Sequence, residues 1–169
     1  AIIHPMHRPH IKKFTTAVIT AALALSLTAC GGAGPDAPTR LIKRVTDGAE
    51  ATVTTNGSNL SISNLLLVAT EDGSAVVVGT MVNYMDEADA LLGISAGGTT
   101  ATLTGEQNLL RDKPIRFEGD SANAKAVFAG VGAQAGRNVA LQLAFARAGV
   151  VTVNVIIRDK RDDYANVTN

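Results

Sequence analysis

The side chains that most often carry chemistry in proteins are scarce in this sequence and unevenly placed. All three histidines, His4, His7 and His10, lie near the N-terminus, and the only cysteine is Cys30. A nucleophilic Ser, Cys or Thr needs a neighbouring base, and zinc sites are built mainly from Cys and His ligands. Beyond Cys30 the chain has no His or Cys, so the sequence predicts neither an enzyme nor a bound cofactor.

A soft-metal site is conceivable at two methionines. Met81 and Met85 are the only methionines that follow Cys30. Thioethers four residues apart on a strand lie on the same face, where they could bind Cu(I). No other soft ligand accompanies them beyond Cys30. Packing in the core is therefore the favoured interpretation, and Cu(I) binding by these two residues stays open as an alternative.

Three acidic residues, Asp86, Glu87 and Asp89, lie close together in a polar stretch. A calcium-binding EF-hand loop needs alternating oxygen ligands and a central glycine, and this stretch has neither. The better interpretation is a solvated loop between strands. Such a loop is a candidate contact surface for a protein partner.

The N-terminal part has the pattern of a secretory signal. Basic residues within positions 7–13 precede an uncharged, mostly apolar run from residue 14 to residue 29. That run is shorter than the roughly 20 apolar residues that cross a bilayer, which favours a cleavable signal-peptide helix. Met6 is the expected initiator, because the basic stretch is complete without the residues before it.

The end of this segment, Leu27-Thr28-Ala29-Cys30, resembles the lipobox of bacterial lipoproteins. The resemblance implies cleavage between Ala29 and Cys30 and a diacylglycerol on the Cys30 thiol. Since two acyl chains give a stable anchor, we expect a cell-membrane lipoprotein on the extracytoplasmic face. Residues 30–48, which include many Gly and Pro, are expected to form a flexible tether.

The charge composition of the chain beyond the predicted signal peptide bears on which classes of partner are expected. From Cys30 onward there are twelve basic and fifteen acidic residues, so no positive excess favours nucleic acid or anionic headgroups. Apolar residues make up 46% of the sequence and aromatic residues only 4%, so the core must consist mainly of Val, Leu, Ile and Ala. No pattern indicates a small-molecule substrate. We expect contact with the membrane through the lipid, and with a protein partner in the envelope.

Beyond residue 48, short runs of alternating apolar and polar residues are separated by turn residues, which is typical of strands. The alternation shifts at Ser63-Asn64, which indicates a bulge. Glycines between residues 130 and 136 argue against a helix in the Ala-rich segment there. Strands are predicted at 51–54, 60–67, 75–84, 91–95, 99–104, 115–117, 125–129, 139–145 and 151–157.

This pattern predicts an all-β protein, with an immunoglobulin- or cupredoxin-like β-sandwich of about eight or nine strands. The expected organisation is a signal peptide at 1–29, the tether at 30–48 and the sandwich at 49–158. Residues 159–169 are charged and polar, and are predicted to be a frayed C-terminal tail.

Two segments resemble a known family. The run Val78-Gly-Thr-Met-Val-Asn-Tyr84, followed by Ala88-Asp-Ala-Leu-Leu-Gly-Ile-Ser95, is similar to the opening of the periplasmic copper chaperones of the PCuAC type. Residues 135–155 are similar to the closing hairpin of that family. The resemblance covers roughly residues 58–157 and extends to the actinobacterial LpqE-like lipoproteins, which carry this domain behind a lipobox. It implies a cupredoxin-like sandwich.

The copper ligands of that family are absent. Its members bind Cu(I) through a His, a Met and a later His-x-Met pair. In this chain the later pair falls on Lys125 and Val127, and the first His falls near Leu103 or Thr104. A cationic lysine repels Cu⁺, so the resemblance implies a retained scaffold without its metal function.

Three functional hypotheses follow. The favoured one is a non-enzymatic binding or accessory module that docks on an envelope or respiratory membrane complex, with residues 86–89 and 115–117 as candidate contacts. The second is copper handling at Met81 and Met85. The third is an enzyme with an unrecognised site.

Overall fold

The computed structural model describes residues 46–169. The predicted signal peptide, its cleavage site between Ala29 and Cys30, and residues 30–45 of the predicted tether lie outside the described residues. In the described part of the chain, no helix combines the length and the apolar character that crossing a membrane requires.

Residues 46–169 form eleven strands and two short 3₁₀ helices, as expected for an all-β protein. The glycine-containing segment around residues 130–136 is irregular rather than helical, as its sequence indicates. The strands are β1 Ala49–Val53, β2 Leu60–Ala69, β3 Ala75–Asn83, β4 Asp89–Ala96, β5 Thr99–Thr100, β6 Thr102–Gly105, β7 Asn108–Leu109, β8 Ile115–Phe117, β9 Ala124–Phe128, β10 Asn138–Phe145 and β11 Gly149–Asp159. The 3₁₀ helices are Thr55–Gly57 and Asp162–Tyr164.

Two layers of strands pack against each other, and β11 joins them. One layer has the order β5–β4–β10–β11, and the other contains β2, β3, β8, β9 and β6, with β1 beside β2. Strand β11 pairs along its length with β10, antiparallel, and its last residues pair with β2, parallel. The result is a β-sandwich that is nearly closed along the β2–β11 side.

The space between the layers is filled by side chains that point inward at alternate positions along the strands. As the composition requires, aliphatic side chains dominate, supplemented by the three phenylalanines of the described chain. Because burial of apolar surface is the main driving force of folding, this alternation fixes which face of each strand points inward. The largest fully buried side chains include Leu60, Leu65, Ile94, Phe117, Phe128 and Leu141.

The predicted bulge in the second strand is confirmed. The β2–β3 register shifts between Ser63 and Leu66, and Asn64 adopts a positive φ of 51°. The Asn64 side chain turns back to accept a hydrogen bond from the Gly48 N–H at 2.9 Å. The bulge therefore also holds the start of the domain.

The single strand predicted at residues 99–104 is wrong, because the chain changes layer in its middle. Thr99–Thr100 pairs with β4 in one layer, whereas Thr102–Gly105 pairs with β9 in the other. Between them lies Ala101, which is buried in the core and donates its N–H to the Ile94 carbonyl at 2.8 Å. Alternation alone cannot reveal such a crossing, since both halves keep the same period.

The prediction of a frayed C-terminal tail is also wrong. Val167 is buried in a second apolar cluster on the outer side of β2 and β3, together with Leu66, Val68, Val76 and Val78. Tyr164 packs against the same cluster. The sequence did not indicate this packing, because only two side chains of the mostly polar tail make the apolar contact.

Candidate functional site

Asp89, predicted as an exposed contact residue, is instead a buried carboxylate. It is 5% exposed, at the first position of β4. One oxygen accepts the Arg147 N–H at 2.8 Å, and the other accepts the Ala148 N–H at 3.0 Å. These bonds satisfy the donors of the tight β10–β11 turn. Asp89 therefore fixes the turn, and both of its carboxylate oxygens are engaged within the domain.

Asn83, at the end of β3, organises the same end of the sandwich. Its side-chain amide donates to the carbonyls of Glu87 and Leu109, at 2.8 and 2.9 Å, and its Oδ1 accepts the Met85 N–H at 2.9 Å. A buried amide with these partners is satisfied, which explains why it is tolerated in the core. Sequence reasoning assigned this asparagine no role.

The other two predicted contact residues, Asp86 and Glu87, are exposed. Arg111 Nη1 lies 2.5 Å from Asp86 Oδ1 and also pairs with Asp112. The hydrogen bond to Asp86 and the charges of both carboxylates raise the pKa of Arg111. Because this ion pair is solvated, it adds little stability and remains available to a partner.

Residues 115–117 were the second predicted contact segment, and most of it is buried. Ile115 and Phe117 belong to the core, and only Arg116 between them is exposed. An apolar-polar-apolar triplet on a short strand is the expected pattern for this arrangement. The segment thus presents one cation to solvent and no apolar contact.

The two methionines occupy different environments. Met81 is fully buried in the main core within β3, whereas Met85 is half-buried in the bend that follows the strand. Since Met85 has left the strand, the spacing that would place both thioethers on one strand face does not apply. Among residues 46–169, no group of three or more His, Cys, Asp or Glu side chains is arranged to hold a metal ion.

The positions on which the resemblance places copper ligands do come together. Thr104 pairs with Lys125 across β6 and β9, and Thr102 pairs with Val127. Lys125 Nζ lies 3.6 Å from a Glu118 carboxylate oxygen and donates to Thr168 at 3.1 Å. The lysine is therefore engaged with neighbouring side chains and with the C-terminal segment.

An uncharged surface covers the outer side of β4, of β10 and of the first part of β11, up to Asn154. We call it the uncharged face. Its two large apolar side chains are Leu92, 64% exposed, and Val150, 68% exposed. The polar members carry no charge. The remaining outward residues of the face are Gly93, Ser95, Ala140, Gln142, Ala144, Thr152 and Asn154.

Leu92 and Val150 line one shallow depression of about 290 Å³, with Gln142 and Ala144 between them. Leu92 is outward because β4 has an extra residue there, where the β10 register shifts between Ala144 and Phe145. A strand with one solvent-exposed face usually alternates buried apolar residues with exposed charged or polar ones. Within the strands of residues 140–154, the positions that alternate with the buried ones carry no charge. This absence of charge is visible in the sequence and could have indicated the uncharged face.

Comparisons with known proteins bear on the fold alone. No family model matches the sequence, and no curated protein matches it. Among solved structures, the apo PCuAC domain from PmoF1 is 20% identical with a TM-score of 0.54, covering 66% of this chain and 99% of that domain. The copper-bound PCuAC domain from PmoF2 is 16% identical with a TM-score of 0.55, covering 66% of this chain and 98% of that domain.

The arrangement of the strands and these similarities define a cupredoxin-like β-sandwich. More particularly, the domain has the fold of a PCuAC domain, as the resemblance implied.

Proposed function

We propose that this protein is a lipid-anchored accessory module on the extracytoplasmic face of the cell membrane, which acts by docking on a protein partner rather than by catalysis. The observation that carries the docking proposal is the uncharged face. Interface cores are depleted of charged residues, and Leu92 and Val150 are exposed apolar side chains that share one depression. Leu92 and Val150 would form the centre of the contact.

The anchor rests on the lipobox resemblance at Cys30. Cleavage before this residue and acylation of its thiol would hold the domain near the membrane, where an envelope or respiratory membrane complex would be the partner. Inhibition of lipoprotein signal peptidase tests the anchor. The unprocessed, larger form should accumulate in membranes. Release of a soluble protein of unchanged size would contradict this part of the proposal.

Docking is tested by photocrosslinking of the full chain in membranes. A photoreactive amino acid is introduced at Val150 or, as a control on the other layer, at the exposed Thr52 of β1. A discrete crosslinked partner, identified by mass spectrometry, is expected from Val150 and not from Thr52. Equal yields at the two positions, or no partner from Val150, would overturn the proposal.

A charge at the depression should weaken the same contact. We expect Leu92→Lys to reduce the crosslink from Val150 at least tenfold, because the lysine would be desolvated without a counter-charge. Thr102→Lys places the same charge on an exposed strand position of the other layer and should leave the yield unchanged. An equal loss with both variants would point to expression or folding instead.

Copper handling is the second candidate, and the similarity to a copper-bound PCuAC domain favours it. On this alternative, Cu(I) would bind through Met81 and Met85. Titration of the full chain with Cu(I) distinguishes the two proposals. Tight binding that Met81→Leu abolishes would support copper handling at this pair, and absence of binding would support the accessory module. Tight binding that the substitution leaves unchanged would contradict the assignment of Met81 and Met85 and point to ligands elsewhere in the chain.

A further inference from the structure

A cavity of about 370 Å³ opens at the end of the sandwich opposite to Asp89. Its floor lies at the edge of the core, where the buried side chains of Leu67, Phe128 and Ile157 contribute to its lining. Ligand sites in proteins are typically concave, mostly apolar and about 300–1,000 Å³ in volume, with a few polar groups that fix orientation. The cavity lies at the lower end of this range.

The polar groups of this cavity lie at its mouth. The loop of residues 129–137 arches over one side and contributes Gln134 and Arg137, both exposed. Arg137 Nη1 donates to Gln134 Oε1 at 3.3 Å. Among residues 46–169, the ion pairs formed by Arg and Lys do not include Arg137. Its charge is therefore not neutralised within the described chain.

Backbone hydrogen bonds hold the main chain of this loop in place. The Arg137 carbonyl accepts the Ile157 N–H at 2.8 Å, and the Gly136 N–H donates to the Ile157 carbonyl at 2.7 Å. On the other side of the loop, the Ala133 N–H donates to the Gly73 carbonyl at 3.2 Å. The loop is thus tied to both β11 and the β2–β3 turn, which fixes the backbone at the mouth of the cavity.

We infer that this cavity binds an amphipathic carboxylate, an acyl chain with a free carboxyl group. The chain occupies the apolar slot against Phe128, and the carboxylate pairs with the guanidinium of Arg137. A guanidinium binds a carboxylate through parallel hydrogen bonds, and the apolar chain is drawn into the slot by burial of its surface. This site is independent of the docking proposal, because it uses neither Leu92 nor Val150.

Photoaffinity labelling of the full chain in membranes tests the inference. The probe is decanoic acid with a diazirine near its methyl end, and the matched neutral probe is the corresponding alcohol. Digestion followed by mass spectrometry should place the carboxylate probe on the residues of the floor. Unlabelled decanoic acid should compete, whereas decanol should compete less although it partitions more readily into the bilayer.

Two variants separate recognition of the head from recognition of the chain. Arg137→Gln should reduce labelling by the acid about tenfold, the low end expected for a charged hydrogen bond at an exposed rim, and leave labelling by the alcohol unchanged. Ala96→Leu fills the slot and should reduce labelling by both probes. Arg116→Gln removes an exposed cation elsewhere and should change neither.

Thermal unfolding confirms that each variant is folded before it is labelled. Equal labelling of the Arg137→Gln and Arg116→Gln proteins by the acid would overturn the assignment of Arg137. Labelling that falls mainly outside the cavity, or that Ala96→Leu does not change, would show partition into the membrane alone and would overturn the site.

Discussion

The Asp89 carboxylate accepts a hydrogen bond from the Ala148 N–H at 3.0 Å, and so links the start of β4 to the distant β10–β11 turn. Replacing Asp89 with Ala leaves this N–H and that of Arg147 without an acceptor. We expect a loss of about 2–3 kcal/mol in the free energy of unfolding, since each unsatisfied donor in a buried site carries its desolvation penalty. Urea-induced unfolding measures the loss.

Asp86 provides the control for this substitution. It is exposed and paired only with a solvated arginine, so Asp86→Ala should change the free energy of unfolding by no more than about 0.5 kcal/mol. Similar losses for Asp86→Ala and Asp89→Ala would contradict the distinction between the two carboxylates.

Gly48 lies where the chain enters the domain and approaches the β2 bulge closely. A Cβ at this position would lie 2.3 Å from the backbone carbonyl carbon of Asn64. We expect Gly48→Ala to destabilise the domain by about 1–3 kcal/mol, because backbone on both sides must shift. Gly93→Ala is the control, since a Cβ there meets no atom within 4 Å. A neutral Gly48→Ala would place the start of the folded domain after this residue.

Val167 attaches the C-terminal segment to the outer side of the second layer. Its side chain is only 5% exposed and packs in one cluster with Val76 and Val78. Val167→Ala removes two buried methyl equivalents, and we expect a loss of about 1.5 kcal/mol. The neighbouring Asn166 is exposed, so Asn166→Ala should be neutral. Thermal unfolding monitored by circular dichroism compares the two, and equal midpoints would show that the segment is not attached.

Asp72 supports a prediction about pH. Hydrogen bonds from the hydroxyls of Thr70 and Ser74 lower the pKa of Asp72 below its usual value. A depressed pKa in the folded state stabilises the protein above the usual carboxyl pKa, and this contribution is lost as the pH falls through the folded-state pKa. NMR titration of the Asp72 carboxyl carbon should show the low pKa. Thr70→Val should raise it, and Thr152→Val, on the uncharged face, should leave it unchanged.

The fold was predictable to the extent that it follows from alternation. The runs around β10 and β11 alternate buried and exposed residues, and those around β2 and β3 are rich in aliphatic residues on both faces. Their positions and the all-β class were therefore evident from the sequence. The split at Ala101 and the two-residue strand β7 were not, because pairing with different neighbours leaves no periodic trace. The burial of Val167 depends on a surface formed by residues far away in the sequence.

The site residues divide in the same way. The chain beyond Cys30 lacks His and Cys, which its composition shows directly. For this reason the sequence predicted neither nucleophilic catalysis nor a zinc site there. The role of Asp89 could not be inferred, since an acidic residue in a polar stretch is usually solvated and its acceptor function depends on the turn at Ala148. The position of Arg137 at the mouth of the cavity could not be predicted either, because only the fold brings its loop close to Phe128.

The position of β11 between the two layers has a consequence for how the chain folds. The β2–β3 and β10–β11 hairpins close short loops and can form early, whereas the parallel contact between Leu67 and Ile157 spans most of the domain and pays a larger loop-closure entropy. During synthesis, β2 emerges well before β11, so the stretch Leu67–Ala69, which β1 does not cover, stays unpaired on this side for that interval. An unpaired edge is a template for intermolecular pairing. We therefore expect the refolding yield to fall as the protein concentration rises. Pairing of β11 with β2 removes the exposed strand edge.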